Sequence, residues 1–171
     1  MRRASKWSGA AVAAVTLVLG AGCPAEAIVG GTKITGEEFK RSWSSVVSLE
    51  TTLSTEPSKV YACGGTYIGD RWVLTVAHCL MPEYTGAVMS PTAVIVRAGS
   101  TREDSGGVLL RVDQVHVHPE YVPKKPDGMA NDIALVRLAS DARLVVAGVR
   151  AAPIVKPDWD YRPGTGGAIA G

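Results

Sequence analysis

Between residues 45 and 153 the apolar residues of this chain fall in short runs rich in Val, Leu and Ile, interrupted by Gly, Asp or Pro. No run sustains the 3.6-residue periodicity of a three-turn helix, so burial has to come from strands pairing with strands. The runs are Ser45–Leu49, Tyr61–Ile68, Trp72–Ala77, Ala93–Gly99, Gly107–Val117 (one long strand or two with a bend) and Asp132–Leu138. Gly69-Asp70-Arg71 supplies the reversal between the second and third, since Gly and Asp tolerate the backbone of a tight turn. Six or seven short strands in about 110 residues predict an all-β sandwich or closed barrel. Gly148 to Pro153 leads into a Pro-rich connector with Trp159 and Tyr161, and Gly164–Gly171 reads as the opening of a further strand. There is no internal repeat and no low-complexity tract.

The first 27 residues have a different character. Arg2, Arg3 and Lys6 precede an apolar stretch, Ala10–Leu19, and Ala25-Glu26-Ala27 places small residues before Ile28. That pattern predicts a signal peptide over 1–27, too short for a retained span, and a secreted, extracellular chain beginning at Ile28. Cys23, preceded by Gly20-Ala21-Gly22, offers an alternative as a lipid-attached residue, but Leu19 stands one place too far upstream. Removing 1–27 takes away Arg2, Arg3, Lys6 and Glu26, leaving 15 basic against 15 acidic residues. A net charge of zero and no basic run interleaved with aromatics argue against nucleic acid or an anionic membrane as partner. Cleavage also removes Cys23, leaving Cys63 and Cys79, 16 positions apart. In an exported domain such a pair most simply forms one disulfide, and the spacing suits no standard zinc knuckle.

Two residues stand out as chemistry. His78 follows an apolar strand and adjoins Cys79, which a disulfide would immobilise; a general base needs its imidazole held in this way. A half-exposed loop histidine is the plain alternative. Asp132 follows Asn131 and opens Ile133-Ala134-Leu135-Val136. It is either a turn residue or a carboxylate that accepts a bond from a histidine ring, fixing its tautomer and stabilising the imidazolium. His116 and His118 alternate on one strand, which formally suits a metal pair, but no third ligand is evident, and no cofactor or metal is expected.

Cys63-Gly64-Gly65-Thr66-Tyr67-Ile68, Trp72-Val73-Leu74-Thr75-Val76-Ala77-His78-Cys79 and Asn131-Asp132-Ile133-Ala134-Leu135-Val136-Arg137-Leu138 together resemble the trypsin/chymotrypsin-like serine endopeptidases. The blocks stand in that family's order, and Ile28-Val29-Gly30-Gly31 resembles the N-terminus its members expose on activation. The resemblance covers residues 28–171. It implies His78 as catalytic base, Asp132 as its orienting acid, Cys63–Cys79 as a disulfide, and His118-Pro119-Glu120-Tyr121 as a structural turn. Val76 departs from the Ala usual two places before the His and is expected to face the core. The implied fold is the first of two six-stranded antiparallel Greek-key barrels. Residues 28–150 would form the N-terminal strap and that barrel, and 151–171 the inter-barrel linker with the first strand of the second.

The resemblance also implies parts that residues 1–171 do not contain. These are a Gly-Asp-Ser-Gly-Gly nucleophile block, the oxyanion-hole amides, the specificity pocket and the acid that receives the Ile28 amino group. Gly171 would be the first Gly of a Gly-Trp-Gly block. Ser42, Ser44, Ser45, Ser48 and Ser90 are poor substitutes for the nucleophile, each better placed to serve a turn or strand. The expectation is a secreted serine endopeptidase acting on protein or peptide substrates, open to protein inhibitors, whose first 171 residues are inactive alone and prone to aggregate. A non-catalytic relative that binds proteins through barrel loops is the alternative, and the presence of both His78 and Asp132 counts against it.

Overall fold

The computed structural model describes residues 31–53, 56–82, 86–123, 130–160 and 162–169, with backbone alone at 56–58. The chain divides into two units at Gly31/Thr32, and every element below lies in the second. Ile28 and Cys23 fall outside the described residues.

Six strands form the fold: β1 (Val46–Leu53), β2 (Glu56–Gly69), β3 (Trp72–Thr75), β4 (Val94–Ala98), β5 (Val108–Val117) and β6 (Ala134–Leu138). They pair antiparallel in the order β1-β2-β3-β6-β5-β4, and β4 returns to β1 to close a barrel. Closure removes the unpaired edges that an open sheet of this size would expose. The expected all-β barrel is present, and its alternation is strict. Val47, Leu49, Thr51 and Leu53 of β1 are buried, as are Val94, Val96 and Ala98 of β4 and Ala134, Val136 and Leu138 of β6. Each such Val or Leu stabilises the fold by about 1.5–3 kcal/mol relative to remaining exposed.

At Gly65, but not at Gly64, the interior presses close on the backbone. A Cβ on Gly65 would lie 2.6 Å from Leu49 Cδ1 and 3.0 Å from Val73 Cγ1, whereas one on Gly64 would meet nothing within 4 Å. The turn from β2 to β3 places both Asp70 and Arg71 at positive φ, the backbone pattern of a type I′ hairpin.

Several boundaries differ from the sequence reading. β1 and β2 both run longer than their apolar cores, because Thr51 and Thr52 pair with Tyr61 and Val60. β3 ends at Thr75: Leu80 and Met81 both donate to the Ala77 carbonyl, so Ala77–Cys79 winds into a 3-10 turn. Val76, expected to face the core, lies just outside β3 and is half-buried between the buried Thr75 and Ala77. The Gly107–Val117 run forms one strand, from Val108 to Val117, with a register shift around Asp113, and the bulged Asp113 carboxylate pairs with Arg71 and Arg137 at 3.8 and 3.5 Å.

Among the described residues helical structure is confined to short turns. Residues Gly36–Glu38 (α1) continue into a π-helical turn, Phe39–Trp43, and α2 spans Ala142–Val146. Leu144 of α2 is buried in the main core cluster, while its neighbours Val145 and Val146 are exposed. None of the described helices is long and apolar enough to cross a membrane. Beyond α2 the chain passes Ala152, whose amide bonds the Tyr67 carbonyl, and residues 153–160 and 162–169 carry no helix or strand. Trp159 is 58% exposed there.

Candidate active site

His78 sits on the 3-10 turn that follows β3, and the flanking residues fix it. Ala77, Cys79 and Leu80 are all buried, leaving the imidazole as the one side chain of the turn that faces outward. Cys79 is bonded to Cys63 of β2, with 6.4 Å between their Cα atoms, inside the usual range for a disulfide. Thr75 donates its hydroxyl to the Gly64 carbonyl at 2.8 Å. The turn is therefore tied to β2 on both sides of His78. The expected Cys63–Cys79 bridge is present, and with both sulfurs committed to it the nearby Cys63, His78 and Cys79 trio lacks the thiolates that would hold a zinc ion.

Asp132 arrives from the loop ahead of β6. The predicted strand over 132–138 begins only at Ala134, because the Ile133 amide bonds the Asn131 carbonyl at 2.8 Å instead of joining the ladder. This narrow turn points the carboxylate at His78. One oxygen accepts the His78 backbone amide at 2.9 Å, and the other lies 2.7 Å from ring Nδ1. Gripping both the backbone and the ring of one residue fixes the imidazole's position and its orientation together. Burial pushes the Asp132 carboxyl up, but the His78 ring and amide bonds, the imidazole charge and the Ala77 amide outweigh this. Their sum holds it below the usual carboxylate range. An ionised Asp132 places the ring proton on Nδ1 and leaves Nε2 as a free acceptor. The ring is half exposed, at 46%, against 21% for the Asp132 side chain. Among the described residues nothing hydrogen-bonds to Nε2, so the arrangement can take a proton from a group brought to it from outside.

The other histidines have local partners. His116 packs on Trp72 with ring centroids 5.5 Å apart and meets Gln114 Oε1 at 3.1 Å. His118 Nδ1 accepts the Glu120 amide, and Tyr121 N donates to the His118 carbonyl, which is the turn expected of His-Pro-Glu-Tyr. One contributor escaped the sequence reading. Asn131 has φ +57° and donates its side-chain amide to the Glu120 carbonyl at 3.0 Å. Its signal was an Asn next to a candidate acid, since Asn is enriched at positive φ.

A family model described as Trypsin matches residues 28–171. Trypsin beta of Drosophila erecta is 36% identical over 113 residues, covering 66% of this chain and 37% of that protein. Trypsin of Sarcophaga bullata is 36% identical over 106 residues, covering 57% and 38%. Complement C1r-B subcomponent of Mus musculus is 33% identical over 113 residues, covering 63% and 16%. The chain thus spans well under half the length of these curated relatives. A solved structure of GrC superposes with a TM-score of 0.54 at 24% identity, covering 79% of this chain and 52% of that one, a likeness in fold.

Proposed function

Because the chain belongs to the trypsin family through residues 28–171, we propose that it carries the general base and the orienting acid of a secreted serine-type endopeptidase. His78 is the base and Asp132 the acid. The observation that supports this most directly is the two-point grip of the Asp132 carboxylate on the His78 amide and Nδ1, at 2.9 and 2.7 Å. With the ring held in the Nδ1–H tautomer, Nε2 takes the proton of an attacking serine hydroxyl and later delivers it to the leaving amine. Asp132 stays ionised throughout and stabilises the imidazolium. Its lowered pKa favours that role.

No serine hydroxyl among the described residues bonds to His78 Nε2 and no oxyanion hole is formed among them, and residues 1–171 contain no Gly-Asp-Ser-Gly-Gly block. The base without those partners has nothing to activate and no developing charge to stabilise. Residues 1–171 alone are accordingly proposed to be inert toward peptide bonds, their catalytic set being completed by a serine outside them. The leading segment 1–27 is proposed to direct export and to be cleaved before Ile28.

A serine-directed fluorophosphonate probe tests the assignment. The 171-residue chain should remain unlabelled, whereas a longer product of the same frame bearing a nucleophile block should label and cleave peptides. His78→Ala should abolish both in that longer product. Labelling of residues 1–171 themselves, or peptidase activity that survives His78→Ala, would refute it. N-terminal sequencing of exported protein tests the cleavage, and a start at Cys23 would overturn it.

A further inference from the structure

We propose that Asn131 is a positioning residue that aims the Asp132 carboxylate at His78, acting through its side-chain bond to the Glu120 carbonyl. The proposal rests on the reading of His78 and Asp132 as base and orienting acid. Asp132 is not delivered by a strand. It precedes β6 and projects from a turn closed by the Ile133 amide on the Asn131 carbonyl. A turn this narrow leaves the direction of the Asp132 side chain dependent on where Asn131 is anchored.

Two features anchor it. The backbone of Asn131 lies at φ +57°, a region that Asn enters more readily than most residues with a Cβ. Its amide nitrogen reaches Glu120 O at 3.0 Å, across 11 residues of sequence. Glu120 is itself fixed: its backbone amide donates to His118 Nδ1, Tyr121 N closes the turn onto His118 O, and Tyr121 is buried in the core cluster. The His118 amide in turn donates to the Ile133 carbonyl at 3.1 Å. Asn131 and Ile133, the two neighbours of Asp132, are therefore both bonded to one turn rooted in the barrel. Asn131 itself is exposed, so its side chain adds little packing and its bond is the element that a substitution removes.

The test reads the His78 ring directly and needs neither nucleophile nor substrate, so its outcome is separate from any peptidase assay. In the 15N-labelled 171-residue chain the neutral His78 ring should carry its proton on Nδ1, giving a low-field resonance that exchanges slowly with water. The Asn131 side-chain amide should also exchange slowly. Asn131→Gly accepts the positive φ and deletes only the side-chain bond. It should speed exchange of the Nδ1 proton about five-fold, the restraint of one neutral hydrogen bond, with the His116 signals unchanged. In an Asp132→Asn background the same substitution should change nothing further. Asn131→Ala loses the same bond and adds strain at φ +57°, so it should speed exchange at least as much as Asn131→Gly does. A parent-like Nδ1–H signal in Asn131→Gly, an equal effect in the Asp132→Asn background, or an Asn131 amide that exchanges like a free one would each overturn the proposal.

Discussion

Gly64 and Gly65 are adjacent and chemically identical, yet substitution by alanine should move stability in opposite directions. Both have φ outside the left-handed region, so alanine meets no backbone objection at either site. At Gly64 the new methyl finds open space. The remaining effect is the reduced freedom of the unfolded chain, which stabilises by about 0.4–1 kcal/mol. At Gly65 the methyl would stand 2.6 Å from Leu49 Cδ1, 3.0 Å from Val73 Cγ1 and 3.2 Å from the Leu74 carbonyl oxygen. Leu49 and Val73 are both at 0% exposure, so any shift they make has to be absorbed by the neighbouring core side chains. Overpacking of this kind costs about 1–3 kcal/mol. Set against the entropic gain, Gly65→Ala should be destabilised by about 1–2 kcal/mol.

Thermal unfolding followed by circular dichroism measures the pair. A chain of this size loses about 2–4 °C of Tm per kcal/mol, so Gly65→Ala should melt roughly 2–8 °C below the parent and Gly64→Ala slightly above it. The steric cause has its own check. Leu49→Val removes the atom in closest conflict, so the double variant should be more stable than the two single effects predict, by at least about 0.5 kcal/mol of coupling. If Gly65→Ala melts at or above Gly64→Ala, the packing argument for the Gly-Gly pair is wrong.

Breaking the Cys63–Cys79 link by the double change to Ser should cost roughly 3 kcal/mol by the chain-entropy relation, read as a lowered denaturant midpoint; an unchanged midpoint would show that β2 and the His78 turn hold each other without it. The Asp132 carboxyl is held below its ordinary pKa when folded. The unfolded state therefore binds the proton more readily, and the contribution of Asp132 is present above the unfolded carboxyl pKa and lost as pH falls through the folded one. Subtracting the pH–stability profile of Asp132→Asn from that of the parent should give a difference that shrinks toward acid, and a flat difference would remove the stabilising role. Glu50→Gln takes the charge from the partner of Arg97, which is only 12% exposed and bonded at 2.8 Å. It should cost about 1–3 kcal/mol in chemical denaturation, and a neutral result would mean that the Gly106 carbonyl satisfies Arg97 alone.

The strands were legible where burial alternates with exposure, as in Trp72–Thr75 and Ala134–Leu138, because one apolar face produces a period of two. They were illegible where pairing alone carries them. Glu56-Pro57-Ser58-Lys59-Val60 has a single apolar side chain besides its proline and joins β2 through its partners on β1, so hydropathy has nothing to report there. The helix Ala142–Val146 escaped for another reason: five residues with one buried Leu144 give no periodicity to find. The Cys63–Cys79 link followed from compartment and count, and His78 and Asp132 from motif. The mutual geometry of those two was beyond reach, since 54 residues separate them and no local preference links them. Asn131 was overlooked because a single residue at positive φ leaves no pattern, only a bias of composition.

What brings His78 and Asp132 together is the sheet. β3 and β6 are antiparallel neighbours, and their ladder matches Thr75 with Ala134. The C-terminal end of one strand thus lies beside the N-terminal end of the other. His78 stands three residues beyond Thr75 and Asp132 two before Ala134, so both leave the barrel at the same rim, where backbone is released from the ladder and can turn. The 3-10 turn at Ala77–Cys79 and the narrow turn at Asn131–Ile133 then point the two side chains across that gap. A one-residue slip of the ladder would reverse which face every β6 side chain occupies and would carry Asp132 away from the His78 amide. The buried sets Val73 and Thr75 of β3 and Ala134, Val136 and Leu138 of β6 forbid that slip. The core of the barrel therefore fixes the register, and the register in turn sets the 2.7 Å contact between the two side chains.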